Sequence, residues 1–445
     1  MGHVLFYILL HGAIYQIRSS LTQNVNSLFS YFFTNSLMYK FNHYCLRFLM
    51  LTILISKSNS VLKFNNFQEK LVLQLLKVKP KANLVASPQL LRFPLCKLTS
   101  VAKGPARQEL MTSLGYKEES MLNSCFSRLK ESIKTMAESD LTIVNRIYVN
   151  YSNDINSSFI ANSTEKFGVQ VEKVGFNFPK AAISYINRWV GTGTYKRITD
   201  ILDAGDINKD TMMIIVNAVH FKGTWESPFD YRLTKLTKFR HIDGRISRVP
   251  MMTRTESFAY IAADDYKFLS MKFASWRAIL TIVLPKTPQG LPEFLERIDK
   301  NPNYITSIVK RMPTTPVRIF IPRFKIKTYV DWTGFLQELG ITTIFSRTSS
   351  GLSAILKNDS ETKNIALSRV KQKLFIQVDE MGVARFTRNP NRNLGPPKVP
   401  LFIDVPEFVA DRPFYFQITL DFENARYEMF TGVYYGPEPE KVNKI

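Results

Sequence analysis

Chemistry at neutral pH needs a side chain that can move a proton, attack, or hold a metal, and this chain offers few. Of its five histidines only His220 and His241 lie beyond the apolar N-terminal region. His220 sits inside "TMMIIVNAVHF", residues 211–221, a continuous apolar run in which a satisfied core imidazole is expected rather than a general base. The cysteines, Cys45, Cys96 and Cys125, form no CxxC pair, so neither a zinc site nor a dithiol redox centre is indicated. Cys96 and Cys125 remain either a pair or two buried thiols. No GxSxG, HExxH or P-loop pattern occurs, and "GTGT" at 191–194 is too short for a dinucleotide fingerprint. The chain is therefore not expected to be an enzyme, and it has no catalytic residues, metal or cofactor to assign.

What it does offer chemically is a substrate-like peptide. Residues 378–400, "VDEMGVARFTRNPNRNLGPPKVP", hold four prolines, three asparagines and three arginines, with no helical or alternating pattern. Apolar strand-like runs flank the segment at 373–378 and 413–418. Long structureless connections are uncommon inside compact domains and are usually functional or disordered. Arg392 and Lys398 offer trypsin-like enzymes basic residues to cut after.

The elements that hold such a loop can be read from pattern. Hydrophobic residues make up 45% of 445 positions, enough for a large core. Helices are predicted over 67–76, 109–114, 121–136 and 159–167, and strands over 141–149, 211–221, 257–261, 278–284, 317–321, 374–378, 415–420 and 427–435. Helices dominate the first half and long strands the second, with no repeat and no linker after residue 60. One α+β domain over 61–445 is predicted.

The formal net charge is +22, which attracts polyanions. The basic residues are scattered, without a long Lys/Arg run, so a solvated basic surface is expected and nucleic acid is not a predicted partner. The apolar run at 44–55 is too short to span a membrane, which takes about 20 residues. Lys40 and Arg47 precede most of it and Ser58-Asn59-Ser60 follow, the layout of a secretory signal over about 38–60 behind an N-terminal extension. A second apolar run, 4–10, is a rival signal. Secretion is expected, and the sequons at Asn150, Asn156, Asn162 and Asn358 fit it as candidate glycosylation sites.

The stretch "NAVHFKGTWESPFD", 217–230, with Asn217, Phe221, Lys222, Gly223, Trp225 and Phe229, resembles the central signature of the serpin family. "INRWVGTGTYKRI" (186–198), "VPMM" (249–252), "IPRFKI" (321–326), "LGITTIFS" (339–346) and "FTGVYYGP" (430–437) follow the family's order, so the resemblance covers roughly 62–437. It implies three mainly antiparallel sheets, about nine helices and an exposed reactive-centre loop at about 379–405. It also implies a monomer whose partner is a serine protease, with a sulfated glycan conceivable along 238–248 and 321–327. In inhibitory members a protease cuts the loop, which then enters the central sheet as a new strand.

By that resemblance Glu380 and Gly382 mark the hinge, followed by Val383, Ala384, Arg385, Phe386, Thr387 and Arg388. Period-two alternation turns Val383, Arg385, Thr387 and Asn389 inward on insertion. Inhibitory members resemble one another in small residues here. In this chain Arg385 would be buried without a partner, at a cost of several kcal/mol, and Pro390 lacks the N–H that a central strand needs. Counting from Gly382 puts the scissile bond at Pro396-Pro397; counting back from Pro413 puts it at Phe402-Ile403. In the sheet-opening region Ser87 is kept, Leu90 replaces a second serine, and Gln372 replaces a histidine. Arg92, Pro94 and Lys97 stand where apolar or small residues are usual, and Pro94 escapes most of its helix cost only if its helix begins after Gln89. The expectation is a serpin-fold protein without conventional suicide inhibition; a working inhibitor and a ligand carrier or scaffold are the alternatives.

Overall fold

The computed structural model describes residues 67–122, 127, 130, 141–274, 278–357, 365–381, 404–422 and 425–438. The chain divides into a unit over Met1–Leu62 and another over Lys63–Ile445. The first unit, and with it the expected signal, lies outside the described residues. So do most of the expected helix at 121–136, Asn358, and the loop from Gly382 to Ile403. Among the described residues no helix is long and apolar enough to cross a membrane.

Fourteen strands form in chain order: β1 Leu84–Ala86, β2 Leu141–Asn150, β3 Gln170–Val174, β4 Met213–Phe221, β5 Lys235–Arg240, β6 Ile246–Ala262, β7 Tyr266–Lys272, β8 Ala278–Pro285, β9 Thr314–Pro322, β10 Phe324–Asp331, β11 Leu367–Val378, β12 Glu407–Val409, β13 Phe414–Phe422 and β14 Ala425–Tyr434. Helices run over 67–78, Pro88–Thr99, Gly104–Leu114, from 119, Ser157–Phe167, Pro179–Gly193, Gly290–Lys300, Tyr304–Val309 and Thr333–Glu338, nine among the described residues. The expected α+β architecture is present.

The smaller sheet has the order β10-β11-β4-β2-β3, and the larger runs β1-β14-β13-β8-β7-β6-β9-β12 with β5 on β6. The larger sheet is continuous because the 17-residue β6 serves two layers. Its first residues pair with β5, its middle with β9 and its last four with β7. The expected third sheet is thus joined to the second through one strand.

The smaller sheet is covered on both faces, which is why β4 reads as an unbroken apolar run and is buried at every position. On one face Ile215, Val219 and Phe221 join the main core with the helix Pro88–Thr99 and the larger sheet. On the other, Ile214, Val216 and Ala218 meet Ile186 and Val190 of the helix Pro179–Gly193.

Candidate functional site

The site is the seam between β4 and β11 together with the turn that follows β11. The two strands run parallel and are paired directly, from Leu367↔Met213 to Ile376↔Phe221. A strand inserted here would have to part them. Halfway along the seam, side chains that could not remain unpaired in a core are bonded to one another. Gln372, fully buried, donates from Nε2 to the Ser87 carbonyl (3.0 Å) and to Asn217 Oδ1 (2.5 Å). Its Oε1 accepts from Trp332 Nε1 at 3.0 Å. Asn217 Nδ2 donates to Asn145 Oδ1, and the Ser87 hydroxyl donates to the Met429 carbonyl at 2.5 Å. Both ends of the Gln372 amide are therefore used. Leu90 is fully buried in the neighbouring core.

At the upper end of the seam a clasp holds the start of the loop. Trp225 Nε1 donates to the Asp379 carbonyl (2.8 Å), and the Phe229 amide donates to the Glu380 carbonyl (2.8 Å). The Glu380 carboxylate accepts from the Thr234 hydroxyl at 2.8 Å and is ion-paired with Arg323. Burial works against its charge, but the hydrogen bonds from Arg323 and Thr234 win and hold it below the ordinary carboxylate value. Lys222 stands 3.5 Å from Asp379. Trp225 stacks flat on Phe273, ring centroids 4.6 Å apart. Gly223 has no room for a side chain, since a Cβ there would lie 2.4 Å from the Phe273 ring.

The motif residues Trp225 and Lys222 are thus brought to Asp379 and Phe229 to Glu380, while Ser87, Asn217 and Gln372 are brought together below them. Beyond Met381, Gly382, Val383, Ala384, Arg385, Phe386, Thr387 and Arg388 lie outside the described residues, as do Arg392, Pro396, Lys398, Phe402 and Ile403. The chain is described again from Asp404, and β12 then pairs parallel with β9.

The helix carrying Pro94 begins at Pro88, before Gln89, so the condition for escape is not met and Pro94 is interior. Asn150, at the first sequon, is buried, its amide nitrogen 3.5 Å from the Thr211 carbonyl. Asn156 caps the helix Ser157–Phe167, accepting from the Ser158 amide at 2.9 Å, and Asn162 is partly exposed on that helix.

Arg92 and Lys97 are buried against aromatic rings. Arg92 donates to the Leu114 carbonyl at 2.7 Å and lies over the Phe67 ring at 4.9 Å. Lys97 lies over Phe159 at 4.3 Å. Cys96 is a buried thiol 3.4 Å from the Tyr116 hydroxyl. His220 is buried as expected but not satisfied, because its Nε2 has no hydrogen-bond partner. Burial, with Arg197 and Lys222 nearby, pushes it down to about 4, so it is neutral at physiological pH.

Sequence reasoning did not name Asn145, Trp332 or Arg323 as parts of the site. Asn145 carried a signal, being a polar residue in the strand run 141–149. Arg323 stood inside the IPRFKI motif, but neither it nor Trp332 could be tied to the site without its partner, 57 and 40 positions away. Over the outer face, Arg146 pairs with Glu172 and lies 3.8 Å from the Trp189 ring centroid, fixing the helix Pro179–Gly193 to the sheet.

Comparison with known proteins matches these features to one family. The serpin (serine protease inhibitor) family matches residues 63–437. Antitrypsin of Bombyx mori is 26% identical over 379 residues, 83% of this chain and 92% of its own. Alaserpin of Manduca sexta is 27% identical over 359 residues, 80% of this chain and 90% of its own. Serpin48 of the insect Tenebrio molitor superposes with a TM-score of 0.73 at 25% identity, over 86% of this chain and 99% of that one. With the family match spanning both seam and clasp, this chain belongs to the serpin family.

Proposed function

We propose that this chain is a secreted serpin-family protein that does not trap proteases by loop insertion. The observation that carries the proposal is the mismatch between hinge and seam. On the core-facing side the seam presents Val219, Phe221, Leu374 and Ile376, all buried. Alternation from the hinge delivers Arg385 to that apolar floor, where a guanidinium without a carboxylate costs several kcal/mol. Pro390 then removes a ladder hydrogen bond. The loop remains a protease substrate, with Arg392, Pro396, Lys398, Phe402 and Ile403 as candidate scissile positions.

The second reading, a working inhibitor of serine proteases, is favoured by relatives named antitrypsin and antichymotrypsin. The bonding of the seam favours it too, since nothing in that network is left unpaired by the glutamine. Incubation with trypsin-, chymotrypsin- and elastase-like proteases separates the two. The proposal expects nicking within 388–403 and no SDS-resistant complex; a covalent complex of chain plus protease would restore the inhibitor.

A sulfated glycan is the partner that suits the exposed β5–β6 hairpin. Lys238 stands directly across from Arg248, a like-charge pair that an anion would relieve. Its neighbours Arg240 and Arg245 are paired with Asp411 and Asp243.

A further inference from the structure

The helix over 67–78 buries Phe67, Leu71 and Leu75 in the core, yet its first turn also sends two polar groups inward. Gln68 is 2% exposed, and its side chain reaches the carboxyl of Glu428. One oxygen of Glu69, Oε2, is buried without a partner. Glu428 approaches from β14, accepting from the Thr431 hydroxyl. Between them lies a cavity of about 20 Å³, room for one water, lined by Glu69, Tyr415, Gln417, Glu428 and Thr431. Two carboxyls that line one cavity of this size cannot both keep a charge cheaply.

We propose that Glu69 and Glu428 form a proton-held clamp between the helix 67–78 and strands β13–β14, closed while the carboxyls are neutral and released as they ionise. The groups that act on Glu69 are Glu428 and, from the helix Gly290–Lys300, Asp299. Tyr415 of β13 faces both glutamates. None of the groups acting on either carboxyl is a cation. Lys77 is engaged with Asp299 at 2.9 Å, and Arg426 with Asp421 at 2.7 Å.

Burial first, then Glu428 and Asp299, push Glu69 up from 4.5 to about 8, and burial raises Glu428 too. A carboxyl raised on folding takes up its proton more readily in the native state. Its contribution is therefore whole below 4.5, is lost progressively as pH rises, and is gone above about 8. The clamp joins the helix 67–78 to β13–β14 and does not depend on whether the loop inserts.

Hydrogen–deuterium exchange on the intact chain tests it. After correction for intrinsic exchange, amides of 67–78 should lose protection about tenfold or more relative to β4 between about pH 5.5 and 8. Glu69→Gln should abolish most of that loss, and Glu428→Gln part of it. An unchanged loss in Glu69→Gln, or wild-type protection indifferent to pH, overturns the proposal. Protection restored at the upper pH by millimolar Ca²⁺ would also overturn it, because the cavity would then be a cation site. If neither variant folds, the wild-type profile with and without Ca²⁺ still decides.

Discussion

Lys97 is 2% exposed, and its ammonium lies over Phe159 at 4.3 Å and Phe167 at 5.5 Å. Burial, then the nearby Lys166, push it down to about 8. For a lysine lowered on folding, the cost is absent above the unfolded value near 10.5, grows as pH falls to about 8, and is constant below that. The aromatic rings thus return only part of what dehydration takes. Lys97→Met keeps the volume and removes the charge. It should raise stability at neutral pH by on the order of 2 kcal/mol, with the advantage shrinking towards pH 10.5 in thermal melts. The position was visible in the sequence as a departure from the family, though with the wrong emphasis. A lysine read alone looks disruptive, because the phenylalanines that receive it lie 62 and 70 positions downstream, as the numbering shows. The same holds for Gln372, whose amide oxygen is met by Trp332.

The elements themselves were more legible. Strands buried on both faces announce themselves as apolar runs, and β4, β8, β13 and β14 fall close to their predicted limits. Among the segments left unassigned, β10 alternates lysine with apolar residues, β7 has a lysine near each end, and the helix Gly290–Lys300 has Pro292 in its first turn. Each is fixed by the neighbours it packs on more than by its own composition. β6 was found only over its last residues, because a strand that serves two layers changes its buried side midway. The helix Pro88–Thr99 holds the element-scale prediction. Pro94 is interior and buried, so it removes the N–H due to the carbonyl four residues earlier. Pro94→Ala restores that bond at the expense of some packing. A gain of about 1–2 kcal/mol is expected in urea denaturation, out of the ~3 kcal/mol that an interior proline costs.

At the scale of the whole molecule, the family and the fold class could be read from ordered motifs, whereas the bonding that closes the seam could not. If Arg385 and Pro390 prevent insertion, cutting the loop adds no strand to the smaller sheet. Limited proteolysis between Arg388 and Ile403 should then leave the Tm nearly unchanged. An inserting serpin gains a ladder and buried apolar area on the same cut, and becomes much more heat-stable. Calorimetry of cut and uncut protein distinguishes the two, and a large upward shift would show that the guanidinium can be buried after all. The clasp carries one consequence for the nicked chain. Its bonds, from Trp225 to Asp379 and from Phe229 and Thr234 to Glu380, all lie on the N-terminal side of every candidate cut. Severing the loop downstream frees two ends but slackens none of these bonds. Parting β4 from β11 therefore has the same clasp to break in the nicked chain as in the intact one.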